Sequence, residues 1–214
     1  MKTCHIFCAA QFDTLAQPIL PGEDVLAADG GLEHCRRLGL EPTGILGDFD
    51  SLGYITEGSR VFPVEKDDTD SMLAARLALE RGNRRVIFYG ALDGPRLDHT
   101  VANFQTLKFL ADRGAQGYLV GKDYLVTVLS RETAEFSPEA QGILSLFCMG
   151  SDAEVTIEKL KYPLDKGTLT AGFPLGVSNA FVGLGGRITV FSGTVLMLWD
   201  RGNGLPARKE PEGC

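Results

Sequence analysis

Hydrophobic positions over the first 130 residues switch repeatedly between two periods. Continuous apolar runs at residues 4–10, 24–28, 44–47, 60–64, 85–91, 118–120 and 124–129 predict buried strands bounded by turn formers. Helical spacing falls between them. Residues 31–38 predict a short helix stopped by Gly39. Residues 70–81 give the clearest helix, with Met72, Ala75 and Leu79 on one stripe and Leu73 and Leu77 beside it. Asp68 or Thr69 caps its start, and Gly82 stands where a C-terminal glycine belongs. Residues 99–113 repeat Val101, Phe104, Leu107 and Ala111 before Gly114. Strands alternating with helices predict a mostly parallel sheet with helices on both faces, a three-layer α/β domain whose chemistry sits in loops at the carboxyl ends of the strands.

Near Arg131 the texture changes. Residues 142–149, 154–160, 168–170, 178–182 and 187–198 are strand-like, broken by Gly, Pro and Asp turns, with no helical stripe between them. That pattern predicts a small antiparallel β-sandwich. The expected fold is therefore α/β plus all-β, with an α/β domain over residues 1–130 and a sandwich over residues 131–214. The Gly-, Pro- and charge-rich tail from Arg201 is expected to fray.

With 214 residues and 44% hydrophobic composition, the chain can bury a substantial core. Its net charge of −7 offers no general attraction to a phosphate backbone, so nucleic acid is an unfavoured partner. No segment approaches the roughly 20 apolar residues that span a bilayer, so no membrane association is expected. Five cysteines without CxxC spacing suit a reduced, cytoplasmic protein better than a disulfide framework or a zinc site.

Chemistry enters with the aspartates. Ala28-Asp29-Gly30-Gly31 ends the second strand, Leu46-Gly47-Asp48-Phe49-Asp50-Ser51 ends the third, Asp67-Asp68-Thr69-Asp70 precedes the strong helix, and Asp93-Gly94-Pro95-Arg96-Leu97-Asp98-His99 joins a strand to the next helix. In a parallel sheet these four loops share one edge. Asp48 and Asp50, one residue apart in extended chain, point to the same side. Clustered carboxylates repel unless a cation neutralises them, and oxygen-only ligands favour magnesium or calcium. Each loop also has a plainer reading. Asp68 and Asp98 suit N-caps, Asp29-Gly30 and Asp93-Gly94 suit turns, and Arg96 suits neutralisation of Asp93 or Asp98. Alternatively Arg96 grips phosphate, and the amides at Gly30 and Gly31 seat an anion. His99 reads as structural or nucleotide-lining. Residues 117–122 mimic a phosphate loop, but the spacing is one short and Asp123 replaces Ser or Thr.

The stretches ADGG at Ala28, LGDFDS at Leu46, DTD at Asp68 and RLDHTVAN at Arg96, in that order, resemble the thiamine pyrophosphokinase family. The resemblance implies a magnesium-dependent transfer of diphosphate from ATP to the hydroxyl of thiamine, giving AMP. It implies a homodimer whose active site lies between one subunit's catalytic domain and the other's thiamine-binding, dimer-forming sandwich. Carried over, Asp48, Asp50 and Asp70 are expected metal ligands. Asp50, Asp70 and Arg96 are expected catalytic groups, with Asp70 the candidate proton acceptor. Asp29, Gly30, Gly31, Thr69, Arg96, Asp98 and His99 are expected nucleotide or phosphate contacts, and Ser178, Asn179 and Ser192 thiamine contacts. One departure is Gly94-Pro95-Arg96, where the family has Gly-Gly-Arg. The family's aromatic partner for thiamine is not evident; Trp199 reads as a packing residue. The alternatives are another metal-dependent phosphatase or diphosphokinase, and an inactive nucleotide-binding module.

Overall fold

The computed structural model describes residues 1–47, 60–61 and 68–211. The chain folds as two compact units, Met1–Lys122 and Asp123–Cys214.

The first unit holds strands β1 (Thr3–Phe7), β2 (Asp24–Ala28), β3 (Gly44–Gly47), β4 (Arg60–Val61), β5 (Arg85–Tyr89) and β6 (Gln116–Val120). They form one parallel sheet in the order β6-β5-β1-β2-β3-β4. Its strands β1 and β6 are buried throughout, as a sheet covered on both faces requires. Helices α1 (Gly31–Leu38), α2 (Asp70–Glu80) and α3 (Leu97–Ala111) connect them. The chain steps outward from β1 to β4, then returns through α2 to β5 on the other side of β1. Helix α1 packs on β1 and β2, α2 on β1, β2 and β3, and α3 on β6, and α2 and α3 touch each other, the arrangement that right-handed crossovers lead one to expect. The order reverses between β1 and β5. That reversal opens a crevice past the strand ends.

The helices bury faces rotated from the predicted stripes, sharing Ala75 and Leu77 in α2 and Leu107 in α3. In α2 the buried side chains are Ser71, Ala74, Ala75, Leu77 and Ala78, while Met72 and Leu79 are half-buried. Small residues at this spacing let the helix lie close to the sheet. In α3 the buried face is Asn103, Thr106, Leu107 and Leu110, and Val101 is half exposed. Burying two polar residues is tolerable because both are bonded: Asn103 Nδ2 donates to the Ala91 carbonyl at 2.7 Å and Thr106 Oγ1 to the Ala102 carbonyl at 3.1 Å.

The second unit is antiparallel throughout, as the sandwich reading expects. One set of strands runs β12 (Asn179–Ala180), β9 (Ile143–Cys148), β14 (Val195–Asp200), β7 (Tyr124–Leu129). The other runs β11 (Leu164–Leu169), β10 (Ala153–Glu158), β13 (Gly186–Ser192), β8 (Thr133–Phe136), β15 (Ala207–Lys209). The predicted strand at 187–198 is a hairpin, turned at Gly193 with φ 75°. Trp199 is fully buried, edge-on to Phe136, and donates Nε1–H to the Gly204 carbonyl at 2.9 Å. The tail does not simply fray. Residues 207–209 pair with β8, and the buried Arg208 side chain ion-pairs with Glu132 while donating to Thr127 Oγ1 at 2.9 Å and the Val128 carbonyl at 3.0 Å.

Candidate active site

A cavity of about 500 Å³ lies in the first unit at the sheet's switch point. Two of its walls are the segments that leave β1 and β5. The ladder continues past the strands there, with Cys8 N–H donating to the Tyr89 carbonyl at 2.8 Å and Ala10 N–H to the Gly90 carbonyl at 2.9 Å. Gly90 is required on two counts. Its φ is 68°, and a Cβ would overlap the Ala10 carbonyl oxygen and stand 2.5 Å from that of Cys8.

The remaining walls come from the loops singled out in the sequence. Asp29, Thr69, Asp70, Arg96 and His99 all line the cavity, together with Ser71 and Asn103. Asp29 sits in the left-handed region at φ 48°, a conformation uncommon for residues other than glycine, and its N–H extends the β2–β3 ladder to the Leu46 carbonyl at 2.7 Å. Cys8 reports how carboxylates converge here. Burial, then the charges of Asp70 and Asp29, push its thiol up to about 12, leaving it protonated and inert.

Thr69 caps α2, its Oγ1 accepting the Met72 N–H at 3.3 Å. Asp70 stands in the first helical turn, where the helix dipole favours a negative charge. Asp68 lies outside the cavity lining and pairs with Arg76 at 2.8 Å.

Gly30 is the N-cap of α1, but the amides after it are partly engaged: Leu32 N–H reaches the Asp29 carbonyl at 3.3 Å and Glu33 N–H the Gly30 carbonyl at 3.2 Å. Gly31 serves packing. A Cβ there would collide with the Phe7 carbonyl and stand 2.9 Å from Cys8 N.

Arg96 is exposed at the N-cap of α3 and forks onto Asp98, Nε to Oδ1 at 3.2 Å with Nη2 on Oδ2. Hydrogen bonding and charge from Asp98 raise the guanidinium further, and Arg96 holds the Asp98 carboxyl below its usual range. The plainer reading of Arg96 is thus realised in this state, while its position on the cavity wall keeps it beside any bound anion. Asp93, at φ 61°, accepts the Lys122 N–H at 2.6 Å and pins the loop that carries Pro95.

Asp48 and Asp50 lie outside the described residues. Among the described residues no three His, Cys, Asp or Glu side chains are grouped to hold a metal ion. Of the residues expected on the thiamine side, Ser178 and Ser192 are exposed in the second unit, and Ser178 N–H donates to Ser145 Oγ at 3.0 Å. Asn179 is buried, with Nδ2 on the Tyr162 carbonyl at 2.7 Å and Oδ1 taking the Tyr162 N–H at 2.9 Å. Its amide is committed to the scaffold.

Sequence reasoning missed Ser71 and Asn103. Both are nearly fully buried, and Ser71 Oγ donates to Asn103 Oδ1 at 2.6 Å. Neither lies on the apolar stripe that hydrophobic spacing marks, so their inward orientation shows only in the packed structure.

Residues 23–119 match the family model for thiamin pyrophosphokinase, catalytic domain, and residues 133–195 that for thiamin pyrophosphokinase, vitamin B1 binding domain. Thiamine pyrophosphokinase of Bacillus subtilis (strain 168) is 27% identical over 186 residues, covering 81% of this chain and 85% of its own. Among solved structures, thiamin pyrophosphokinase from Geobacillus thermodenitrificans has TM-score 0.75 at 25% identity over 99% of both chains. The Candida albicans enzyme shares the fold at TM-score 0.73 and 15% identity, over 93% of this chain and 88% of its own.

Proposed function

We propose, for a chain that belongs to the thiamin pyrophosphokinase family, that its thiamine diphosphokinase activity takes ATP as diphosphate donor, requires magnesium and uses the cavity at the switch point of the first unit. The observation that carries this is the meeting of Asp29, Thr69, Asp70, Arg96 and His99, from three segments of the chain, around one cavity.

Attack of a hydroxyl on the β-phosphorus of ATP needs little covalent chemistry from protein. It needs in-line placement and stabilisation of developing charge. In this reading Arg96 turns its fork from Asp98 to phosphate oxygens, or shares it, since both partners are exposed and the exchange costs little. Asp70 accepts the proton of the attacking hydroxyl. Asp29 and His99 orient the nucleotide and phosphates, with Gly30, Gly31 and Asp98 supporting the loops.

The acidic groups at the cavity are oxygen donors, the chemistry magnesium prefers, and Cys8 is a protonated thiol that would not compete. Asp70 would hold the ion together with Asp48 and Asp50, and the ion would supply neutralisation of phosphate charge. In this reading Ser178 and Ser192 face thiamine, and Asn179, bonded to the Tyr162 backbone, supports the chain next to Ser178. A homodimer and a cytoplasmic location complete the reading. It is supported by exposed Phe173, Leu175, Val182 and Leu184 on the second unit, by the free thiols of Cys4, Cys8, Cys35 and Cys148, and by the absence of any helix among the described residues long and apolar enough to cross a membrane.

Incubation with ATP, magnesium and thiamine tests it. Thiamine-dependent AMP is expected. Inorganic phosphate released without thiamine dependence would point to a phosphatase, and AMP formed only with a different alcohol would point to another diphosphokinase. Asp50→Asn and Asp70→Asn should each lower kcat by roughly 100-fold or more with the far-UV circular dichroism unchanged, and full activity in either variant would remove that residue from the metal site.

A further inference from the structure

Three side chains on the cavity wall form a hydrogen-bonded line whose proton directions are fixed. It ends at the Ala91 carbonyl, which can only accept, so the Asn103 amide must present its NH2 end there, at 2.7 Å. That turns Oδ1 toward Ser71, and Oδ1 can only accept, so the Ser71 hydroxyl donates its one proton across 2.6 Å. Ser71 therefore has no proton left for the 3.0 Å contact with Thr69 Oγ1, and Thr69 must be the donor. Thr69 Oγ1 also accepts the Met72 N–H at 3.3 Å. Its proton is spent, one lone pair is used, and one acceptor site is left on a residue that lines the cavity. Ser71 and Asn103 are 8% and 7% exposed, so water competes poorly for these bonds.

We propose that Ser71 and Asn103 are positioning residues that hold Thr69 as a hydrogen-bond acceptor, so that Thr69 recognises a donor group on the nucleotide, such as a sugar hydroxyl or the base amine, and not a phosphate oxygen. The proposal rests on the nucleotide site assigned above and narrows it. The same line ties the N-terminus of α2, which carries Asp70, to the strand-end loop before Arg96. A polar face on α3 is thereby accounted for.

Equilibrium binding to the full chain provides the test, with two probes in the presence of magnesium: a non-hydrolysable ATP analogue and inorganic triphosphate. The analogue has hydroxyl and amine donors, whereas triphosphate offers only acceptors. Thr69→Val is expected to weaken the analogue about tenfold and leave triphosphate within about twofold. Ser71→Ala should weaken the analogue by a similar factor, and Ser71→Thr should restore it. The double variant should be no worse than the weaker single, because both act through one line. Equal weakening of both probes by Thr69→Val would overturn the proposal, as would an analogue affinity untouched by Ser71→Ala. Should Ser71→Ala fail to fold, the Thr69→Val comparison still decides. A wild-type chain that binds the analogue without thiamine-dependent AMP would sink the proposed function and leave this inference standing. One that binds neither probe would sink both.

Discussion

Gly90 and Gly114 share a backbone conformation and differ in what surrounds them, which makes a clean experiment. Both have φ of 68°. Gly114 follows α3, its N–H on the Ala111 carbonyl at 3.0 Å, and a Cβ there would have nothing within 4 Å. Gly90 follows β5, where a Cβ would overlap the Ala10 carbonyl and sit 2.5 Å from that of Cys8. Alanine in the left-handed region costs roughly 1–2 kcal/mol at either site. The lost freedom of the unfolded chain returns about 0.4–1 kcal/mol at both and cancels in the comparison. The difference is then the overlap with backbone, which cannot swing away as a side chain would, at about 1–3 kcal/mol or more. Gly114→Ala should lower the thermal midpoint by a few degrees, and Gly90→Ala by roughly 2–12 °C beyond that for a chain of this size.

Activity supplies a second reading of the same pair. Relief at Gly90 requires the segment after β1 to move, and residues 8–10 are cavity wall. Thiamine-dependent AMP formation should therefore fall roughly tenfold or more in Gly90→Ala and stay near wild type in Gly114→Ala. Equal midpoints for the two variants would refute the close approach of the β1 and β5 ends. A destabilised but fully active Gly90→Ala would separate that approach from the site.

Two further outcomes test the scaffold. His5 is fully buried, with Nε2–H on Glu23 Oε2 at 3.0 Å and Nδ1 taking the Tyr89 hydroxyl at 3.4 Å. Burial lowers its proton affinity more than Glu23 raises it, so the folded chain keeps it neutral. Because the unfolded chain takes up that proton near pH 6.5, stability should decline as pH falls below about 6.5 and level off once the folded pKa is passed. Burial pushes Glu23 up, but bonds from Leu20 N–H, His5 and Thr3 outweigh it, and this adds a second loss below the usual glutamate range. Urea titrations from about pH 5 to 8 should show the His5 slope vanish in His5→Gln; a wild type with no slope there would contradict the neutral assignment. In the second unit, Arg208→Ala leaves Glu132 without its buried partner and should cost about 3 kcal/mol. Arg208→Lys should recover only part, because one ammonium cannot reach the three acceptors that the guanidinium spans. Unfolding of Arg208→Ala at the wild-type urea midpoint would show that β15 contributes nothing.

How much of this the sequence disclosed depends on the range over which each signal acts. Most strands, the switch to antiparallel texture and a helix start at Asp68-Thr69 are decided within a few residues and were legible, while the strands at 133–136 and 207–209 and the choice of Thr69 over Asp68 as the cap were not. The helix faces were legible only in part. Hydrophobic spacing placed Ala75 and Leu77 correctly but favoured Met72 and Leu79, while the sheet also accepts Ser71, Ala74 and Ala78. Small residues carry little hydrophobic signal, so a stripe of apolar positions overlooks most of them. Gly30 and Gly31 invited an anion-seat reading, since bare amides are a local property, whereas the collision that requires Gly31 comes from Phe7, a full strand and loop earlier in the chain. The tail followed the same rule. Its composition is that of a loose end, and what orders residues 207–209 is a partner strand and a buried guanidinium site far earlier in the chain.

Ser71 and Asn103 sharpen the point, because they were visible and unread. Asn103 closes the RLDHTVAN stretch, and Ser71 follows the DTD stretch directly. Each taken alone is an ordinary polar residue in a helix, and solvent would be its default partner. What assigns them is the run of protons along Thr69, Ser71, Asn103 and the Ala91 carbonyl, a property of four groups on three segments that no single segment contains. A carboxylate declares its chemistry by charge wherever it stands. A hydroxyl acquires its polarity from its neighbours, so the direction in which Thr69 faces a ligand can be derived only once those neighbours are in place.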